Sequence, residues 1–164
     1  MKFTSSQKIF DKLSEFDDFL ISVSIDGYKD TNYLLRRLNY DVIIVGAGHA
    51  GVEAALASAR QGLKTALFTI YLDSISMMSC NPSVGGPGKS HLVSELGMLG
   101  GEMARHIDNY NLQLKNLNHT KGLASRITRA QADKYWYRIK MREILEKQKN
   151  IYIVQGMVTD LIVE

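Results

Sequence analysis

Three glycines with the spacing G-x-G-x-x-G are the residues of this 164-residue chain whose spacing most clearly indicates chemistry. The full motif is Gly46, Ala47, Gly48, His49, Ala50 and Gly51. In such a motif the first glycine permits a tight turn, the second lets the backbone approach a pyrophosphate, and the third lets a helix pack closely on a strand. A helix that begins here also presents free amides and partial positive charge to phosphates. The motif predicts dinucleotide binding, and the alternative is a glycine-rich turn without a ligand.

Cys80 is the one cysteine of the chain, so it has no partner for an internal disulfide, which fits a reducing cytoplasm. It precedes a second glycine cluster, Gly85 to Gly88, and Lys89 and His91 follow that cluster. A thiol in such a place is a candidate nucleophile or redox group, and the alternative is a small residue that shapes a pocket. The four histidines show no metal-ligand spacing, so the sequence predicts no metal site.

The position where a dinucleotide-binding domain usually carries an acidic residue for the ribose hydroxyls is Thr69 in this chain. A threonine offers only a weaker hydroxyl contact. This departure argues against an ordinary NAD-selective domain and leaves the ribose contact open.

The elements that position the glycine motif are predicted from its flanks. Tyr40 to Val45 is an apolar run rich in β-branched residues, which is typical of a buried parallel strand. Gly51 to Gln61 is alanine-rich and indicates a helix that Gly62 ends. Lys64 to Ile70 then predicts a second strand, parallel to the first.

Further elements are predicted on both sides of this strand, helix and strand unit. Residues 71–88 are expected to form a long loop, and Thr128 to Gln131 has the form of a capping box. The expected elements are an amphipathic helix through Ile9, Leu13, Phe16 and Leu20, a helix over Lys89–Leu99, a short strand through Leu112, Leu114 and Leu117, a helix from the capping box to about Lys147, and strands over Ile151–Val154 and Val158–Val163.

Positive charge is concentrated in residues 105–149, which hold eleven Lys or Arg against four Asp or Glu, a net charge of +7 in a chain whose total is +3. Such a segment with interleaved aromatic residues can contact nucleic-acid phosphates and stack on bases, and the alternative is a solvated amphipathic helix. No apolar run approaches the roughly 20 residues that cross a bilayer, so we expect a soluble protein that does not bind a membrane.

Four blocks of the sequence resemble the successive signatures of the MnmG (GidA) family. They are Tyr40–Ala55, Ser79–Gly86, Gly100–Met103 and Arg129–Asp133. The Cys-Asn-Pro and Arg-Ala-Gln-Ala-Asp blocks are far more specific than the glycine motif, and the likeness runs from about Tyr40 to Glu164. The chain departs from the family at Leu123, where proline is usual, and in its 39-residue extension.

The resemblance implies an FAD-dependent enzyme that uses NADH and, with an MnmE-type GTPase, builds an aminomethyl or carboxymethylaminomethyl group at C5 of the wobble uridine of tRNA. Methylene-folate is the implied one-carbon donor, and a homodimer is the implied full-length assembly. Gly46 to Gly51 would hold the FAD pyrophosphate, and Val158 would meet the adenine through its backbone. For such an enzyme Cys80 is a candidate nucleophile toward the uridine, with a pocket-shaping role as the alternative. Lys121, Arg126 and Arg129 of the basic segment are candidate tRNA contacts.

The predicted fold class is α/β, a Rossmann-like FAD-binding domain of the glutathione-reductase type, truncated at Glu164. Residues 1–39 are expected to be a partly helical extension, and residues 40–164 the N-terminal part of the FAD/NAD(P)-binding domain. Alone, such a fragment is expected to be inactive. Two alternatives stay open, a non-catalytic nucleotide-binding fragment and another FAD-dependent oxidoreductase.

Overall fold

The computed structural model describes residues 20–24, 40–122 and 125–162. Its strands are β1 (Leu20–Ser24), β2 (Val42–Val45), β3 (Thr65–Thr69), β4 (Ser83–Gly85), β5 (Asn111–Leu117), β6 (Ile127–Ala132), β7 (Ile151–Gln155) and β8 (Met157–Ile162). Its α-helices are α1 (His49–Arg60), α2 (Lys89–Met98), α3 (Glu102–Asn109) and α4 (Lys134–Lys147). A 3-10 turn covers Leu72–Ser74.

A parallel sheet in the order β2-β3-β7 carries the glycine motif. Val42 pairs with Thr65 and Val45 with Phe68, so the two strands end side by side. The predicted strand, helix and parallel strand are therefore confirmed, although α1 begins at His49, two residues before the predicted start. Every residue of β3 is buried, as expected for the central strand of a covered parallel sheet.

An antiparallel sheet in the order β4-β6-β5 follows in the chain. Two of its strands, β4 and β6, were not predicted, and neither was α3. The expected loop over residues 71–88 instead holds the 3-10 turn and β4. The predicted α2 and the strand at β5 are confirmed.

The capping-box prediction was wrong. Thr128 to Gln131 lies in β6, where Ala130 pairs with both Val84 and Leu114. Helix α4 begins at Lys134, and its cap is Asp133, whose carboxylate accepts hydrogen bonds from the amides of Tyr135 and Trp136 at 3.0 Å. Pairing with two neighbouring strands satisfies the backbone of β6 on both sides, which a local capping pattern could not do.

One hydrophobic cluster joins α1, the parallel sheet and α4. Helix α1 contributes Val52, Ala55, Leu56 and Ala59, and α4 contributes Tyr137, Met141 and Leu145, all buried. The core therefore lies directly behind the glycine motif.

Strands β1 and β8 form a separate antiparallel pair, and the chain divides into a unit that holds this pair and a unit that holds residues 40–156. The expected amphipathic helix lies outside the described residues except at Leu20, which is in β1. The strands predicted over Ile151–Val154 and Val158–Val163 correspond to β7 and β8. The division into domains at residues 39 and 40 stays a prediction.

Candidate nucleotide-binding site

The glycine motif links β2 to α1, and glycine is present at each of its three positions for a different reason. Gly46 has a φ of +100°, a conformation that side chains disfavour, and its amide donates to the Phe68 carbonyl at 2.8 Å. At Gly51 an added Cβ would overlap the carbonyl oxygen of Gly46, so a side chain there would push α1 away from β2.

Gly48 is explained by neither backbone conformation nor packing. Its φ is −69°, which any residue adopts, and a Cβ added there would meet nothing within 4 Å. It is the N-cap of α1 and offers no side-chain cap, and the first turn of the helix holds no acidic residue. Open space beside uncapped amides suits the pyrophosphate of a dinucleotide, so the residues present fit such a cofactor.

Ala47 ties the glycine motif to the segment that leads to Cys80. Ala47 is buried, and its carbonyl accepts a hydrogen bond from the amide of Ser76 at 3.0 Å. Ser76 is fully buried and has a φ of +50°, so the chain adopts an uncommon conformation at this contact. The two loops are thereby held against each other.

A cavity of about 480 Å³ opens beside the motif. It brings together residues from three segments of the chain: His49 at the start of α1, Cys80, Asn81 and Ser83 of the Ser79–Gly86 block, and Lys89 at the start of α2. Cys80 is exposed, and so is Lys89. The cavity thus places a thiol and a cation beside the glycine motif.

Thr69 does not have a free hydroxyl. Its side chain is buried, and its hydroxyl donates to the Tyr71 carbonyl at 3.1 Å and lies 3.3 Å from the hydroxyl of Ser74. These bonds hold the turn that follows β3. The Thr69 hydroxyl, considered above for a weak ribose contact, therefore already has a role in the fold.

The three candidate RNA-binding cations have different environments. Lys121 and Arg126 are exposed beside the turn that precedes β6. Arg129 is half-buried on β6, and its guanidinium donates to the Ser83 hydroxyl from Nε at 3.3 Å and Nη2 at 3.1 Å. Arg129 thus fastens β6 to β4 at the cavity wall. Val158 lies on β8, in the other unit, and its contact with adenine stays a prediction.

Several polar residues near the motif form contacts that the sequence did not indicate. The carboxylate of Glu53 on α1 accepts from the amides of Glu102 and Met103 and so caps α3. Glu102 is itself buried and pairs with Arg60 and Arg105. Apart from Arg105, which lies three residues after Glu102 in α3, these partners are distant along the chain, so no local pattern could have indicated them.

A central parallel sheet, a glycine turn and an uncapped helix start define a Rossmann-like FAD-binding fold. The sequence model of the family described as glucose inhibited division protein A matches residues 41–164. The chain belongs to this family, as the resemblance predicted.

Relatives and solved structures agree with this assignment. The chain is 71% identical over 126 residues to the tRNA uridine 5-carboxymethylaminomethyl modification enzyme MnmG 1 of Fusobacterium nucleatum. This match covers 77% of the chain and 20% of that relative. The Bacillus subtilis MnmG is 58% identical over 125 residues, covering 76% and 20%. The structure of Aquifex aeolicus GidA superimposes with a TM-score of 0.74 at 51% identity, covering 77% of this chain and 21% of that one. The chain therefore spans about a fifth of the length of the relatives it matches.

Proposed function

We propose that this chain binds FAD through the glycine motif and supplies the FAD-binding part of a tRNA-modifying enzyme. The observation that carries the proposal is Gly48, a glycine that neither conformation nor packing requires, at the uncapped start of α1. FAD, when bound, would supply the redox chemistry. The chain's own residues would orient it: the first amides of α1 toward the pyrophosphate, and the cavity residues around the ring system.

The substrate and partners follow from the relatives, whose names describe tRNA uridine 5-carboxymethylaminomethyl modification. For the full-length protein we propose the same modification at C5 of the wobble uridine in the cytoplasm. NADH would be the reductant and methylene-folate the one-carbon donor, and an MnmE-type GTPase and a second copy of the protein would be its partners. No described helix is long and apolar enough to cross a membrane.

Within this function we propose that Cys80 shapes the flavin pocket. It lines the cavity with His49, which belongs to the glycine motif. Direct covalent attack on the uridine is the competing role. Lys121 and Arg126, being exposed, are the better candidates for tRNA phosphates, and Arg129 also serves the sheet.

The FAD proposal is tested by the flavin spectrum and the FAD-to-protein ratio of the purified chain. Gly48→Val fills the open space beside the amides and should abolish FAD binding without altering the circular dichroism spectrum. Gly122→Val is the matched control, since Gly122 also has open space around its Cβ position and lies outside the motif. If folded Gly48→Val keeps stoichiometric FAD, the proposed site is wrong.

The tRNA proposal is tested with a chimera in which residues 41–164 replace the matching segment of the Bacillus subtilis relative. Its expression in cells that lack their own enzyme should restore the modified wobble nucleoside, measured by mass spectrometry of digested tRNA. A chimera that is soluble and carries FAD but restores nothing would contradict a shared function.

A further inference from the structure

Three aromatic rings in contact run from α3 through α4 to the glycine motif, two of them buried and the third, that of His49, half-buried. The ring of Tyr137 on α4 makes an edge-on contact with the ring of His106 on α3, with centroids 4.6 Å apart. The ring of Tyr137 also contacts the ring of His49 on α1, with centroids 5.8 Å apart. His106 and Tyr137 are at most 1% exposed. The first residue of α1 is therefore in contact with Tyr137, a residue of the core.

His106 fixes Tyr137 at its main chain as well as at its ring. The Nε2 atom of His106 lies 2.8 Å from the Tyr137 carbonyl oxygen. Tyr110 also packs against His106, with ring centroids 4.8 Å apart. The position of the Tyr137 ring is thus set by α3 and α4, independently of the glycine motif that it contacts.

Two polar atoms of these rings are buried without a hydrogen-bond partner in the part of the chain that the structure describes, the hydroxyl of Tyr137 and Nε2 of His49. A buried polar group left unsatisfied costs about 1–3 kcal/mol, so such atoms are normally paired directly or through an ordered water. The two atoms belong to neighbouring rings, and one shared contact would satisfy both. That contact would join α4 to the residue whose amide begins the phosphate-facing turn.

We propose that Tyr137 is a positioning residue for FAD, and that its hydroxyl fixes the ring of His49 through one bridging water, and with it the first turn of α1. The inference rests on the proposed FAD function. Tyr137 itself touches no cofactor in this scheme. It acts by holding the glycine motif in the shape that receives the pyrophosphate.

The charged and titratable groups that face His49 come from three elements. Glu53 lies one turn further along α1, His106 faces it from α3 and Tyr137 from α4, while Lys89 and Cys80 share its cavity. Burial lowers the pKa of His49, the Glu53 carboxylate opposes this shift, and His106 adds to it. The free protein therefore favours neutral His49.

Binding of FAD should be coupled to protonation of His49, and the coupling should strengthen binding at lower pH. Pyrophosphate charges at the start of α1 raise the pKa of His49 above its value in the free protein, so FAD binding takes up a proton between the two pKa values. FAD affinity should then rise as pH falls through this window, by at most about tenfold per pH unit. A bridging water that accepts from the Tyr137 hydroxyl and donates to neutral His49 would hold the free pKa down, so loss of the hydroxyl should move the window to higher pH.

The experiment measures FAD affinity of the 164-residue chain by flavin fluorescence between about pH 5 and 9, where histidine titrates. Tyr137→Phe keeps the ring and removes the hydroxyl, and should weaken FAD binding about two- to tenfold, the equivalent of one net hydrogen bond. It should also shift the pH step upward. His49→Asn should abolish that step, and the double variant should bind no more weakly than the weaker single variant, since both changes remove one contact.

Tyr110→Phe is the matched control, because it removes a hydroxyl from another ring packed on His106 and should change neither affinity nor pH step. Circular dichroism and thermal unfolding establish that each variant is folded. Two results would overturn the positioning role alone, provided that the wild-type chain binds FAD. One is a Tyr137→Phe variant whose FAD affinity and pH step match the wild type. The other is a double variant whose loss of affinity is the sum of the two single losses. No FAD binding by the wild-type chain would overturn the proposed FAD function and this inference with it.

Discussion

The carbonyl oxygen of Gly46 occupies the place that a side chain at Gly51 would need. A Cβ built on Gly51 would overlap that oxygen and would lie 3.0 Å from the carbonyl carbon of Gly46 and 3.5 Å from Cγ2 of Ile44. The start of α1 and the end of β2 are thus in direct backbone contact. The nucleotide-binding turn is built on this approach.

Gly51→Ala should therefore destabilise the chain by about 1–3 kcal/mol, as overpacking does, despite the gain of up to about 1 kcal/mol in helix propensity. Gly48→Ala is the control and should stay within about 0.5 kcal/mol of wild type, because its Cβ meets open space. Urea unfolding monitored by circular dichroism measures both. Equal stability of Gly51→Ala and wild type would contradict the close helix-strand packing.

The cap of α4 distinguishes the structure from the capping box that the sequence indicated. Asp133→Ala removes the acceptor of two helix amides and should cost about 0.5–2 kcal/mol. Thr128→Ala should cost less than about 0.5 kcal/mol, since its exposed hydroxyl bonds only to the Asn116 side chain among the described residues. Thermal unfolding of the two variants gives the comparison. A larger loss of stability in Thr128→Ala than in Asp133→Ala would support the capping box instead.

Cys80 should report on the cavity because it is the only thiol in the chain. We expect FAD to slow alkylation of Cys80, since the thiol lines the same cavity as His49. Labelling followed by mass spectrometry measures the rate with and without FAD. In the chimera, Cys80→Ser should keep measurable tRNA modification. Full loss of modification with FAD content unchanged would favour the nucleophile role.

Arg126 should contribute to tRNA affinity through a phosphate contact, because it is exposed in the segment of concentrated positive charge. In the chimera, Arg126→Ala should reduce the slope of log affinity against log salt by about 0.7–0.9, and Arg126→Lys should preserve it. Arg129→Ala should in addition loosen β4, since its guanidinium holds Ser83. An unchanged slope in both alanine variants would place the RNA surface elsewhere.

Glu102 should make stability depend on pH. Burial raises the pKa of its carboxyl, but hydrogen bonds from Arg105 and Arg60 outweigh burial and hold the pKa below its usual value. A carboxyl whose folded pKa is depressed contributes stability above its unfolded pKa of about 4.3 and loses it as pH falls toward the folded value.

Glu102→Gln should accordingly lower the free energy of unfolding by about 1–3 kcal/mol at neutral pH, with the difference from wild type shrinking below about pH 4.3. Urea unfolding across the acid range measures this. The control is Glu95→Gln, at an exposed position of α2. A pH-independent difference for Glu102→Gln would show that the carboxylate charge is not what stabilises α3.

Much of the site could be predicted from the sequence, because the relevant interactions are local. The β-branched run before Gly46, the alanine-rich run after Gly51 and the glycine spacing are sufficient for a strand, a turn and a helix, and the structure confirms all three. The signature blocks predicted the family on the same basis, since they are continuous segments of chain.

What the tertiary structure decided depends on residues that are far apart in the chain. Strand β6 replaced the expected helix start because β4 and β5 pair with both of its edges. Arg129 acquired Ser83 as a partner, and Tyr137 came to lie between His106 and His49. Local patterns record the preferences of neighbouring residues, whereas these contacts exist only once the sheets bring distant segments together and burial makes their polar atoms seek partners.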